Sequence, residues 1–244
     1  MPTRQLDIIF QDQHYVAVNK PAGVSVHRGA DSRGQGYTLQ WVRDMVGRRV
    51  YPLHRLDRPT SGVLLFALDA DAARKTGDLI RSGGLAKTYL AVVRGYTDAE
   101  GLIDYPVKQV REGRYRTNHR RSAKRRSAVT EYKTLATIEL PFAVDTYPTS
   151  RYSLVVLRPR TGRRHQLRQH LKHLSHPIIG DTRYGKSVHN RFFASRFDCN
   201  RLLLAATTLG FVHPFTHKAI KVSVEIGGSY RALLRRFGWE QVVE

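Results

Sequence analysis

Two hydrophobic rhythms alternate along this chain. Two-residue alternation is clearest over Ala219–Ile226, where Ile220, Val222, Val224 and Ile226 alternate with Lys221, Ser223 and Glu225, the pattern of a half-buried strand. Leu6–Phe10 and Tyr15–Asn19 read as two strands around the polar turn Gln11-Asp12-Gln13. The apolar run Gly62–Leu68 predicts a buried strand, and Leu85–Gly95 another, with Tyr89, Ala91 and Val93 on one face and Leu90 and Val92 on the other. Further strands are predicted over Ser127–Thr137, Tyr152–Arg158 and Leu202–Val212. The helical rhythm predicts short helices over Leu39–Met45 and Tyr230–Phe237, and one over Asp71–Arg81 stopped by Gly83-Gly84. Leu167, Leu171 and Leu174, at i, i+4 and i+7 ahead of Pro177, predict one more.

Strands and helices are intermixed irregularly, with no internal repeat and no proline- or serine-rich linker. That arrangement predicts a single α+β domain over residues 1–244, built around a mixed or antiparallel sheet. Two stretches carry neither rhythm. Residues 28–36 form a polar, glycine-rich loop, and residues 111–126 hold eight cations and one acid, the composition of a loop or basic insert.

Charge changes the picture more than composition does. Lys and Arg number 41 against 20 Asp and Glu, a formal charge of +21. The apolar (41%) and charged (25%) fractions are ordinary for a globular chain, which argues against wholesale disorder. Such an excess of one sign makes the compact state repel itself, and it suits a polyanionic partner. A membrane surface is the competing partner, but the sequence lacks a strongly amphipathic basic helix or a lipidation signal. The single cysteine, Cys199, excludes an intramolecular disulfide framework and a cysteine-cluster zinc site. The absence of a long apolar run or signal segment predicts a cytoplasmic protein without a membrane span.

Chemistry concentrates at His54-Arg55-Leu56-Asp57-Arg58-Pro59-Thr60-Ser61-Gly62. Flanking arginines favour the ionised form of Asp57, and a carboxylate on a turn beside a rigid strand can act as nucleophile or base. The same residues also fit a surface Asp–Arg pair that merely caps a loop. Tyr89 is by itself more often a core residue than a base platform. Arg168 sits at the edge of the leucine stripe, where it can point inward at a partly buried anion, whereas Arg163, Arg164 and Lys172 fit a basic surface. His165, His170, His173 and His176 lack acidic or thiol partners and zinc-site spacing, so no metal site is predicted.

The nonapeptide resembles the hallmark of RluA-type pseudouridine synthases: His-Arg-Leu-Asp, two variable positions, then Thr-Ser-Gly. Lys20-Pro21-Ala22-Gly23 with Val26-His27, the segment Lys87–Gly95, Gly162-Arg163-Arg164-His165-Gln166-Leu167-Arg168 and His176–Asp181 resemble further elements of that family. The resemblance implies a central mixed, mostly antiparallel sheet with flanking helices and a catalytic cleft. It implies that Asp57 is the catalytic nucleophile, that Tyr89 stacks on the target base, and that Arg168 pairs with Asp57. Arg55 would fill the space left by an extruded base. The Lys20-Pro21 turn is expected to be structural, and the His176–Asp181 segment to shape a turn. The short segment ahead of Lys20 implies that the small N-terminal RNA-binding domain of many relatives is absent.

The implied reaction turns uridine into pseudouridine without cofactor, ATP or metal, by a monomer acting on RNA. Thr146–Tyr152 and Thr216 resemble the branch of that family that modifies a uridine in the T-stem of tRNA, and the resemblance implies that substrate. An rRNA-modifying synthase is the alternative within the class, and a non-catalytic basic RNA-binding protein the alternative outside it. Whether Asp57 attacks the sugar, attacks the uracil, or removes a sugar proton stays open. Beside the catalytic residues, His54, Arg55, Arg58, Arg163 and Arg164 are expected to contact RNA, as are Arg120, Arg121, Lys124, Arg125 and Arg126 of the insert.

Overall fold

A computed structural model describes residues 6–28, 36–109 and 124–243. Its first strands are β1 (Ile8–Gln11), β2 (Tyr15–Lys20), β3 (Tyr51–Pro52), β4 (Ser61–Ala67), β5 (Ala86–Arg94) and β6 (Glu100–Asp104). They continue as β7 (Val107–Lys108), β8 (Arg125–Arg126), β9 (Val129–Leu140), β10 (Ser150–Pro159), β11 (Leu204–Val212) and β12 (Ala219–Ser223). The helices are α1 (Thr38–Val46), α2 (Ala70–Arg81), α3 (Gln166–His173), α4 (Ser187–Phe197) and α5 (Gly228–Arg236). Residues 29–35 of the glycine-rich loop and most of the basic insert, including Arg120 and Arg121, lie outside the described residues.

The chain divides into two compact units. Unit 1 comprises Met1–Lys87, Val110–Lys124 and Ala206–Val224; unit 2 comprises Thr88–Gln109, Arg125–Ala205 and Glu225–Glu244. In unit 1, β2 runs antiparallel between β1 and β4, and β12 pairs with β11 beside β4. Val63 to Ala67 are fully buried, as a strand with neighbours on both edges and cover on both faces requires. Burial is worth roughly 1.5–3 kcal/mol for each of the larger side chains there, so the turn preceding β4 stands on a rigid base. The core of this unit joins Tyr15, Val63 and Leu65 to Leu209, Phe211 and Val222. Helix α2 starts where Asp69 accepts a hydrogen bond from the Ala72 N–H at 2.7 Å, a side-chain N-cap.

In unit 2, β10 runs antiparallel between β5 and β9, with β6 on the far edge of β9. Its core gathers Leu90, Val92, Tyr152, Leu154 and Phe193 with Tyr230, Leu233, Leu234 and Trp239. The hairpin β7–β8 stands apart as a two-stranded ribbon, with Val107 opposite Arg126 and Lys108 opposite Arg125. This corrects the sequence expectation of an irregular stretch over 111–126: its last two residues are strand, because β7 offers them a partner that local pattern cannot reveal. Helix α4 and strand β6 also lack a sequence forecast. In α4, Phe192, Phe193 and Phe197 cover more than one face, which blurs the apolar stripe, and Lys186 at the N-cap makes no side-chain capping bond.

Two positions in unit 1 separate backbone strain from steric exclusion. Gly62, the last residue of the Asp57 motif, has φ +117°, and an added Cβ would meet the Ala206 carbonyl oxygen at 2.0 Å. Gly23 also has positive φ (+86°) but open space around it. Gly23→Ala is expected to cost about 1–2 kcal/mol for the left-handed backbone alone. Gly62→Ala should cost at least about 3 kcal/mol, since strain and overpacking add. Denaturant titration of both variants checks this, and equal losses would contradict the close approach of β4 to Ala206.

Candidate functional site

The Asp57 turn in unit 1 is assembled around a buried cation. Lys20, at the end of β2, is fully buried, and its ammonium donates to the carbonyls of Pro21 (2.9 Å), Val24 (2.8 Å) and Arg58 (3.3 Å). Two of these acceptors lie in the Lys20–Val24 loop, and the third follows Asp57 directly. The same two loops exchange further bonds: the Gly23 N–H donates to Arg58 O at 2.8 Å, and Arg58 Nε donates to Gly23 O at 2.9 Å. The Thr60 N–H closes the turn on Asp57 O at 3.0 Å, and Lys20 pairs with Gly62 across β2 and β4. Asp57 is half-buried, beside exposed Arg55 and Arg58 and buried Leu56. The Lys20-Pro21 segment therefore has the structural role the sequence suggests, and that role is to hold the Asp57 turn.

His54 braces the other side of this turn. Its Nε2 accepts the Leu65 N–H at 3.1 Å, which places the ring proton on Nδ1, a buried atom without a partner among the described residues. Burial, and after it the positive charge of Lys87, pushes this imidazole down to about 3. His54 is thus neutral at physiological pH, held by backbone, and offers no positive charge to a polyanion. Lys124, also of unit 1, is exposed.

Unit 2 holds Tyr89, Arg168 and the remaining expected RNA contacts. Tyr89 is buried on β5, opposite Leu157 of β10. Helix α3 begins after His165, whose φ of +56° is unusual for a residue with a side chain and whose Nδ1 lies 3.0 Å from Tyr184 Oη. Gln166, the next residue, is buried with its amide fully used. Its Nε2 donates to Val129 O and Thr130 Oγ1, while its Oε1 accepts from Thr161 Oγ1 and the Arg163 N–H. These bonds fix the start of α3 against β9.

Arg168 is 5% exposed and grips buried Asp181 by two bonds, Nε to Oδ2 at 2.7 Å and Nη2 to Oδ1 at 2.9 Å. Its guanidinium also lies 5.2 Å from the Tyr184 ring centroid. Burial by itself would raise the Asp181 carboxyl. The Arg168 hydrogen bonds and charge, with the N–H groups of Tyr184 and Arg183, reverse this and hold it below the usual carboxylate range. The sequence anticipates the turn at Asp181 but not that Asp181 anchors Arg168. The only sequence signal was its position at the end of the His176–Asp181 motif.

The expected basic surface is only partly exposed. Arg163, Arg125 and Arg126 are exposed, whereas Arg164 is half-buried with a shielded Nε. The neighbouring histidines have structural partners: His170 bonds Thr130 Oγ1 and Tyr105 O, and His176 Nδ1 lies 2.8 Å from Arg94 O.

The family model described as RNA pseudouridylate synthase matches residues 14–173. A tRNA pseudouridine synthase C of Vibrio parahaemolyticus is 44% identical over 238 residues, 97% of each chain. The enzyme of that name from Haemophilus influenzae is 43% identical over 238 residues, 97% of this chain and 100% of the relative. Among solved structures, human RNA pseudouridylate synthase domain containing 4 superposes with a TM-score of 0.71 at 25% identity, covering 95% of this chain and 92% of that one.

Two substitutions test the anchors. Lys20→Met removes a donor from three loop carbonyls, of which Arg58 O keeps the Gly23 N–H, and should cost about 2–4 kcal/mol in a denaturant titration. Asp181→Asn removes the buried carboxylate charge that grips Arg168 and should cost about 3 kcal/mol at neutral pH. Because the Asp181 carboxyl is depressed, its contribution is present above its ordinary value of 3.8 and lost as pH falls through the lower folded value. The stability gap between wild type and Asp181→Asn should therefore narrow below about pH 4. A gap constant down to pH 2 would contradict the ionised pair.

Proposed function

Because the chain belongs to the RNA pseudouridylate synthase family, we propose that it converts a uridine of tRNA, in the T-stem, to pseudouridine, with Asp57 as the catalytic carboxylate. The observation that carries this reading is the bracing of the Asp57 turn by Lys20, Gly23 and the buried strand β4. A reacting carboxylate must be held in place, and a turn clamped from two sides supplies that hold. The names of the relatives supply the RNA class. In this reading Arg168 is a catalytic residue, and Tyr89 stacks on the uracil while it is detached. Arg55, exposed and next to the turn, occupies the vacancy left by the extruded base.

The reaction breaks the uridine N1–C1′ bond and forms a C5–C1′ bond. C5 gives up its hydrogen as a proton and N1 gains one, so no atoms are gained or lost overall. The protein acts as a monomer in the cytoplasm; no helix among the described residues is long and apolar enough to cross a membrane.

Transcribed tRNA carrying 5-tritiated uridine reads the chemistry directly. Wild-type protein should release tritium to solvent, and Asp57→Ala should release none above background while keeping wild-type tRNA affinity within a few-fold. Release from ribosomal RNA alone would replace the tRNA assignment. Binding without release from either RNA would make the chain a non-catalytic RNA-binding protein.

A further inference from the structure

A second surface of unit 2 has the character of a nucleic-acid contact. Tyr105, between β6 and β7, stacks on exposed His173 at the end of α3, with ring centroids 3.6 Å apart and an interplanar angle of 12°. Arg125 of β8 extends the assembly: its guanidinium lies 5.5 Å from the Tyr105 centroid and donates to Tyr105 Oη at 3.0 Å. Lys108 and Lys172 are exposed on the same hairpin and helix.

We propose that Arg125, Tyr105 and His173, flanked by Lys108 and Lys172, form an RNA-docking surface outside the reacting centre, with an unpaired base stacking on His173 and phosphates meeting the cations. The proposal rests on the tRNA reading above. A stack of this kind could instead serve only to join the hairpin to α3, but other groups already do that. Gln169 accepts the Lys108 N–H at 3.0 Å and donates to Lys108 O at 3.2 Å, and His170 Nε2 bonds Tyr105 O at 2.9 Å. These contacts satisfy backbone groups; the His173 ring satisfies none, and its exposure leaves room for a further ring.

Charge points the same way. Several surface cations of unit 2 have carboxylate partners: Arg160 with Glu131, Arg151 with Glu139, Lys186 with Asp145, and Arg231 and Arg235 with Glu240. Lys108, Lys172 and Arg125 have no carboxylate partner among the described residues, although Asp104 lies close enough to act electrostatically on His170. Unpaired cations beside an aromatic stack are the combination that single-stranded nucleic acid selects, with phosphates as counter-ions and bases on the rings.

Binding of the tRNA transcript, measured by fluorescence anisotropy across a KCl series, tests this together with tritium release at saturating tRNA. His173→Ala should raise Kd roughly 5- to 100-fold, the range of a lost base–aromatic stack, with release at saturation unchanged. His173→Phe should return Kd to within about twofold of wild type, since any planar ring can carry the stack. Lys172→Ala should lower the slope of log Kd against log salt by roughly 0.7–0.9, one phosphate contact. Tritium release by wild type together with an unchanged Kd for His173→Ala overturns the surface and leaves the activity standing. Weakened binding by His173→Ala, rescued by Phe, in a protein that releases no tritium supports the surface and overturns the activity. If Phe fails to rescue while its Tm matches wild type, base stacking is overturned.

Discussion

A buried ammonium sets the geometry from which the candidate site follows. An unpaired charge of that size in the interior would cost several kcal/mol, and three carbonyls converge on Lys20 to offset it. The need is mutual, because loop carbonyls turned toward the interior require donors there. Both sides are satisfied in the observed arrangement of the Lys20–Val24 and Asp57–Thr60 loops. That arrangement hands the chain into β4 in the register that pairs Lys20 with Gly62. The Asp57 turn is therefore held by electrostatics on one side and by a fully buried strand on the other.

Unit 2 uses the same principle with different groups. Helix α3 is short and has no side-chain cap of its own, so its place comes from buried polar groups that are completely paired. Gln166 and His170 both reach Thr130 of β9, and Arg168 is balanced by Asp181. Here desolvation and pairing oppose one another, and the two-bond guanidinium–carboxylate geometry lets pairing win. Burial also accounts for the neutral state of His54 and lowers His170, which explains how a chain with formal charge +21 can hold histidines in its interior. The buried cations Lys20 and Arg168 are each held by partners, whereas on the hairpin face that carries Tyr105 and His173 exposed cations stand without carboxylates among the described residues.

The strands and helices with a clean rhythm were legible in the sequence to within a few residues. The apolar run after the Asp57 motif became β4, Leu85–Gly95 became β5, and Asp71–Arg81 became α2 with Asp69 as its cap. Period-two and period-3.6 patterns record which faces are buried, so they survive in the chain itself. The alternation at Ala219–Ile226 extends past the end of β12 at Ser223, because the chain then turns toward α5. Helix α4 escaped because its phenylalanines pack against several neighbours at once, including Phe142 and Phe237. Strands β6 and β8 escaped because short edge segments become strands only when a partner is present.

By itself the sequence determined the α+β class, the polyanion-seeking charge, and the motif residues on which the proposed chemistry rests. Those are properties of residue type and spacing, and they need no knowledge of distant neighbours. Tertiary structure alone decided that Lys20 points into a cage of carbonyls, that His54 is neutral, and that Asp181 is the buried counter-charge of Arg168. Each depends on a residue brought from elsewhere in the chain and on water being excluded once it arrives. Pairing and desolvation are properties of the folded state, and no local pattern encodes them.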